Sequence, residues 1–268
     1  GFDSHNIFIT GNTVLDALDI AIESTKNNPS PGVQKLISMY NKYSEIILVT
    51  AHRRENIISR GIENICLALK KIANTDRSRV IIFPLHANPK IHEIAKNILS
   101  EESNISLIDH VAYDEFIWLM KNCKLIISDS GGIQEEACGL HKPIIVTRET
   151  TERQEGVLSG CVIIVGLDTH NIVEKALHIL NDEQTYTNIV NSPNPYGDGH
   201  ACQRILHHLN LGNYTDITVI GMGYIGLVTA GTLAKQKLRI HGVDIKEDVV
   251  SNINSMHIDE KEPGLKKL

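Results

Sequence analysis

Along the chain, short runs of β-branched and aliphatic residues alternate with longer stretches whose apolar positions recur every three or four residues. The runs at 46–50, 80–83, 106–108, 125–128, 143–146 and 161–165 predict strands, each followed by a polar loop. Between them, helical periodicity predicts helices over 60–72, 89–99, 114–120, 133–138 and 171–180, with Pro89 suited to a first helical turn. Near-continuous apolar strands separated by helices indicate a parallel sheet covered on both faces, because each parallel crossover needs a connection long enough to return the chain. The predicted fold is α/β, a doubly wound parallel sheet.

Two further segments set the organisation. Residues 27–32 (Asn-Asn-Pro-Ser-Pro-Gly) predict a loop, and residues 191–199 are dense in turn formers ahead of one more helix over 201–209. The polar tetrad Gly212-Asn213-Tyr214-Thr215 then marks a boundary, giving domains 1–212 and 213–268. Beyond it Ile217-Thr218-Val219-Ile220 runs into Gly221-Met222-Gly223-Tyr224-Ile225-Gly226, a strand turning into a helix through G-x-G-x-x-G, and Asp244 closes the next strand. That is the opening of a dinucleotide-binding βαβ unit. One such unit buries little apolar surface, so an incomplete Rossmann segment less protected than the main sheet is expected.

Composition removes several function classes. With 268 residues, 42% hydrophobic content, a net charge of -6 and 4% aromatics, the chain has no basic stripe or stacking platform for nucleic acid. No apolar run reaches the roughly 18 residues of a membrane span, and no leader pattern is present. The five cysteines, Cys66, Cys123, Cys138, Cys161 and Cys202, form no C-x-x-C pair and no metal cluster; they predict reduced thiols in a cytoplasmic protein.

In open parallel sheets ligands sit beyond the carboxyl ends of the strands, so the residues following each strand are the first candidates. His52 follows the first strand, in Ala51-His52-Arg53-Arg54-Glu55-Asn56, and His86 follows the second, in Pro84-Leu85-His86-Ala87-Asn88-Pro89. Either can serve as acid, base or phosphate donor, or simply cap a turn. After the fourth strand comes Ser128-Asp129-Ser130-Gly131-Gly132-Ile133-Gln134-Glu135-Glu136. Its glycines admit a ligand close to the backbone, a helix opening at Ile133 directs free N–H groups at an anion such as pyrophosphate, and Glu136 is placed to accept from sugar hydroxyls. The alternative is a tight turn capped by Ser130. Arg148 and Arg153 on the next loop suit phosphate contacts or a solvated charge run. Neither G-x-S-x-G nor a Walker lysine loop occurs.

These segments, with Phe8-Ile9-Thr10-Gly11-Asn12-Thr13, Thr151-Glu152-Arg153 and Asn194-Pro195-Tyr196-Gly197-Asp198-Gly199, resemble in order and spacing the carboxyl-terminal half of the non-hydrolysing UDP-N-acetylglucosamine 2-epimerases, over about residues 1–211. The resemblance implies a glycosyltransferase-B-like enzyme that takes a UDP-sugar between two domains. It would invert C2 by anti elimination of UDP and re-addition, giving UDP-N-acetylmannosamine without any nicotinamide cofactor. It further implies that Ser130, Gly131, Gly132 and Glu136 hold the UDP, with His86 and Arg153 near the phosphates and Phe116 beside the uracil. His52 would be the catalytic histidine, and Arg53 would touch a second, regulatory UDP-sugar. The intact family enzymes are expected to be homodimers. The family's amino-terminal domain supplies the catalytic carboxylates and has no counterpart before Gly1, so this chain alone is expected to bind UDP weakly and not to epimerise.

The tail resembles a different family, the UDP-sugar dehydrogenases, in particular UDP-N-acetylmannosamine dehydrogenase, through Gly221, Gly223, Gly226, Gly242-Val243-Asp244 and Glu262-Pro263-Gly264-Leu265. Asp244 would bind the adenosine ribose hydroxyls of NAD. Met256 departs from that family's usual glycine. Without a substrate domain, NAD binding at this tail is not expected. A UDP-binding module without catalysis and a remnant of a dehydrogenase fusion are the competing readings.

Overall fold

A computed structural model describes residues 4, 7–209, 216–222, 224–235 and 238–255. The chain divides into two compact units, Gly1–Cys202 and Gln203–Leu268. The boundary read at Gly212 lies outside the described residues.

The elements run α1 (Thr13–Asn27), α2 (Pro31–Tyr40), β1 (Glu45–Thr50), α3 (Arg54–Ile58), α4 (Gly61–Ala73), β2 (Arg79–Pro84), α5 (Pro89–Leu99), β3 (Ile105–Ile108) and α6 (Tyr113–Asn122). They continue as β4 (Leu125–Ser128), α7 (Gly131–Gly139), β5 (Ile144–Val146), α8 (Gln154–Ser159), β6 (Val162–Ile164), α9 (Thr169–Asn181), α10 (Glu183–Val190) and α11 (Ala201–Leu209). The six strands form one parallel sheet in the order β3-β2-β1-β4-β5-β6.

The period-2 alternation of each strand sorts its side chains between two cores. Ile47, Val49, Ile81, Phe83, Leu125 and Ile127 point to one face, where Ile65 and Leu69 of α4, Ile91 of α5 and Ile172 of α9 cover them. Ile46, Leu48, Val80, Ile82, Ile126 and Ile144 point to the other, against Leu15 and Leu18 of α1, Leu36 and Tyr40 of α2 and Ile117 and Met120 of α6. Burial on both faces explains why these strands read as unbroken apolar runs.

Several local readings change. The loop read over residues 27–32 narrows to 28–30 between α1 and α2, because Ser30 caps α2 by accepting from the Val33 N–H and Pro31 occupies the first turn, where its missing N–H costs nothing. Helix α7 opens at Gly131, two residues before the predicted start, so both glycines belong to its first turn. Residues 54–58, read as loop, form the short helix α3. The thiols are not all free: Cys138, ending α7, is bonded to Cys161 just before β6, with Cα atoms 5.9 Å apart. A separation of 23 residues hid this pair from a spacing argument; Cys66, Cys123 and Cys202 remain unpaired. Burial pushes the Cys66 and Cys123 thiols up to about 12, leaving them unreactive.

In the second unit β7 (Asp216–Ile220) and β8 (Arg239–Val243) pair in parallel around α12 (Tyr224–Lys235), followed by α13 (Glu247–Asn254). Gly221 takes a positive φ of 85° and its N–H donates to the Val243 carbonyl across 2.7 Å. A Cβ on Gly226 would lie 1.8 Å from the Gly221 carbonyl oxygen, so only glycine lets the helix start this close to the turn. Asp244 accepts from the Met222 and Lys246 N–H groups at 2.7 and 2.9 Å. Gly223, Met256 and residues 262–265 lie outside the described residues.

Candidate functional site

The sheet order reverses between β1 and β4. Chains leaving these neighbouring strands diverge, which opens a crevice at their carboxyl ends. Thr50 and Ser128 end the two strands in register, and their hydroxyls share a 2.7 Å hydrogen bond. The candidate site residues of the first unit gather around that bond. A cavity of about 410 Å³ is lined by Thr50, His52, Pro84, His86, His110, Val111, Tyr113, Phe116 and Ile133, among others. The two predicted histidines stack, with ring centroids 5.6 Å apart and planes inclined by 19°.

Asp129, fully buried directly after β4, anchors the His52 loop. Its carboxylate accepts from the His52 N–H at 3.0 Å, the Arg53 N–H at 2.9 Å and Asn56 Nδ2 at 2.9 Å. Its other oxygen lies 3.4 Å from His52 Nδ1. Burying a carboxylate is costly unless its lone pairs find donors, and here three N–H groups supply them. Across the cavity, His86 Nδ1 accepts from the Asn88 N–H at 3.2 Å.

Helix α7 begins beside the same crevice, directing its unpaired N–H groups outward from Gly131 and Gly132. Ser130 stands at the N-cap position with no side-chain cap bond, leaving its hydroxyl available; its own N–H donates to Ser128 Oγ. One turn along, Glu136 is buried and accepts from the Tyr113 hydroxyl at 3.0 Å. Burial raises the Glu136 pKa, Tyr113 pulls it back and Glu135 adds a further push upward.

A cluster of arginines meets that helix end. Glu152 takes Arg148 Nη2 at 2.6 Å, Arg53 Nη2 at 3.3 Å and Arg153 Nη1 at 3.4 Å. Glu135 takes Arg153 Nε at 2.6 Å and is held in turn by Asn12 Nδ2 at 2.8 Å. The Arg148 hydrogen bond, ahead of the other contacts, holds the Glu152 carboxyl at about 2. A Cβ at Gly131 would come within 2.7 Å of Glu152 Oε1, so this carboxylate rests against the first turn of α7. The loop from Arg148 to Glu155 is thus no freely solvated charge run.

The structure brings His52, His86 and Phe116 onto one cavity, with Glu136 reaching it through Tyr113. Ser130, Gly131 and Gly132 lie beside it at the helix end, and Arg53 and Arg153 meet on Glu152. Gly221, Gly226 and Asp244 belong to the other unit. Sequence reasoning assigned no role to Asp129, Glu152, Tyr113 or His110. Asp129 carried a signal, an acid directly after an apolar strand; Tyr113 and His110 carried none. Among the described residues no group of three or more His, Cys, Asp or Glu is arranged to hold a metal ion, and no helix is long and apolar enough to cross a membrane.

Fold and crevice together place the first unit among α/β domains of glycosyltransferase-B-like architecture. Residues 1–210 match the family model for UDP-N-acetylglucosamine 2-epimerase, and residues 215–268 match that for the NAD binding domain of the UDP-glucose/GDP-mannose dehydrogenase family. The chain belongs to the UDP-N-acetylglucosamine 2-epimerase family. It is 45% identical over 214 residues to the UDP-N-acetylglucosamine 2-epimerase of Campylobacter jejuni, covering 78% of this chain and 56% of that protein. It is 46% identical over 210 residues to that of Escherichia coli K12, covering 76% and 54%. A solved structure of the Neisseria meningitidis UDP-GlcNAc 2-epimerase bound to UDP-GlcNAc superposes with a TM-score of 0.72 at 39% identity, covering 79% of this chain and 57% of that one. The Methanocaldococcus jannaschii enzyme in complex with UDP-GlcNAc and UDP gives 0.67 at 32% identity, covering 79% and 58%. The chain spans about half the length of the curated relatives it matches.

Proposed function

We propose that the crevice between β1 and β4 binds the UDP portion of a UDP-sugar, as half of the site of a UDP-N-acetylglucosamine 2-epimerase. The observation that carries this reading is the convergence at one switch point of an apolar slot, two histidines and a helix N-terminus flanked by arginines. Phe116 offers the uracil a flat apolar neighbour. Ionised Glu136 accepts from the ribose hydroxyls, while the α7 N–H groups, Ser130, His86 and Arg153 take the diphosphate. Leaving UDP would gain negative charge at its terminal phosphate, where those donors concentrate. His52 stands on the sugar side as a proton-transferring group, and Arg53 extends toward a regulatory nucleotide-sugar.

Besides His52, elimination at C2 calls for the catalytic carboxylates that the family resemblance assigns to an amino-terminal domain. Among the described residues no carboxylate lines the cavity; Asp129 and Glu136 are committed to His52, Arg53, Asn56 and Tyr113. We therefore propose that this chain by itself binds UDP without turnover. The second unit carries the turn and acid that suit an adenosine ribose, Gly221, Gly226 and Asp244, and we give it no part in the epimerisation. Calorimetry of the full chain tests the reading: UDP binds, and Ser130→Ala with Glu136→Ala weakens it at least tenfold, about 1.4 kcal/mol. Unchanged affinity in the double variant would remove the site from this crevice, and formation of UDP-N-acetylmannosamine at enzymatic turnover by the chain would overturn the second proposal.

A further inference from the structure

We infer that the loops after β1 and β2 lock the two stacked imidazoles in opposite tautomers, with Asp129 as the residue that positions His52. For His52, the buried Asp129 carboxylate lies 3.4 Å from Nδ1. A lone pair on Nδ1 at that distance would face a negative oxygen, whereas an N–H there is attracted to it. The proton therefore sits on Nδ1, and Nε2 carries the lone pair. The same carboxylate fixes the loop backbone that carries the ring, because it also holds the His52 and Arg53 N–H groups and the Asn56 amide.

His86 is set the other way. Its Nδ1 accepts the Asn88 N–H, which a protonated Nδ1 could not do, so its proton resides on Nε2. Asn88 is held in place by its own helix cap, its side chain accepting from the Lys90 N–H at 3.0 Å. Two rings 5.6 Å apart on one cavity thus offer complementary groups: His52 an acceptor, His86 a donor. The consequence for chemistry rests on the reading of this crevice as a UDP-sugar site. His86 Nε2–H then suits a phosphate oxygen, and His52 Nε2 suits a proton arriving from the sugar. A shared tautomer would put two donors or two acceptors against a ligand that needs one of each.

Long-range proton–nitrogen NMR correlations on the full chain with labelled histidine test this, recorded at a pH of about 8, above the ordinary histidine range. His52→Gln and His86→Gln assign the two rings. The wild-type chain should show the downfield, pyridine-type nitrogen at Nε2 of His52 and at Nδ1 of His86. In Asp129→Asn, His52 should lose its Nδ1–H preference and relax toward the Nε2–H form that free imidazole favours, while His86 stays unchanged. The wild-type spectrum alone is decisive should Asp129→Asn fail to fold. The inference is overturned by a wild-type His52 protonated at Nε2, by the same tautomer in both rings, or by a folded Asp129→Asn chain with His52 unaltered. Tautomers as stated with no imidazole shift on adding UDP would uphold the inference and sink the binding reading instead.

Discussion

Replacing Tyr113 with phenylalanine removes the phenol that donates to Glu136 Oε1 across 3.0 Å and leaves the ring in place. Glu136 is 8% exposed, and burial already raises its pKa. A hydrogen bond to a charged acceptor contributes roughly 1.5–3 kcal/mol. Tyr113 is 49% exposed, so water replaces part of it; a net loss of about 1.4 kcal/mol corresponds to a further rise of about one pKa unit. The sign follows from linkage. A carboxyl whose folded pKa lies above its unfolded one binds its proton more tightly when folded, so its contribution is full below the ordinary carboxylate pKa and is lost as pH rises through the folded value. The Tyr113→Phe chain should lose stability over a window extending about one unit higher than wild type, read by urea denaturation across pH. UDP binding needs ionised Glu136 in this account, so UDP affinity should begin to fall about one unit earlier as pH is lowered. Superimposable affinity–pH curves for a folded variant would refute the assignment of Glu136 as the ribose acceptor.

Two further outcomes are expected. Gly131→Ala places a Cβ at the first residue of α7, directly against Glu152. That Cβ, 2.7 Å from Glu152 Oε1, displaces the carboxylate that gathers Arg148, Arg53 and Arg153, so UDP affinity should fall about tenfold in calorimetry. In thiol titration of the denatured, non-reduced chain three cysteines should react, and five after reduction; five without reductant would contradict the Cys138–Cys161 bond.

How much of this was legible in sequence depends on the range of each interaction. The sheet was readable because strands buried on both faces must be apolar throughout, as Ile46 to Val49 and Leu125 to Ile127 are. His52, His86 and the Ser130 loop were found because parallel topology sends every strand end to one edge, and polar residues there stand out against apolar strands. Helix α2 was missed because the Pro-Ser-Pro run signals a turn and a helix start equally, and only the Val33 N–H bonding Ser30 decides. The Glu152 hub was invisible for another reason. Its partner Arg53 lies 99 positions away, and nothing in a charged triplet shows which arginines will converge on it. Strand order supplied the missing information, by setting β1 beside β4 and so Asp129 beside His52.

The central claim, that the ligand is a uridine nucleotide held in the β1–β4 crevice, is tested most directly by mapping amide and imidazole NMR shifts of the full chain during titration with UDP. Saturable shifts are expected at Gly131 and Gly132 and at the His52 and His86 rings, with the amides of Gly221, Gly226 and Asp244 still. Shifts confined to those tail residues, or none at saturating UDP, would contradict it.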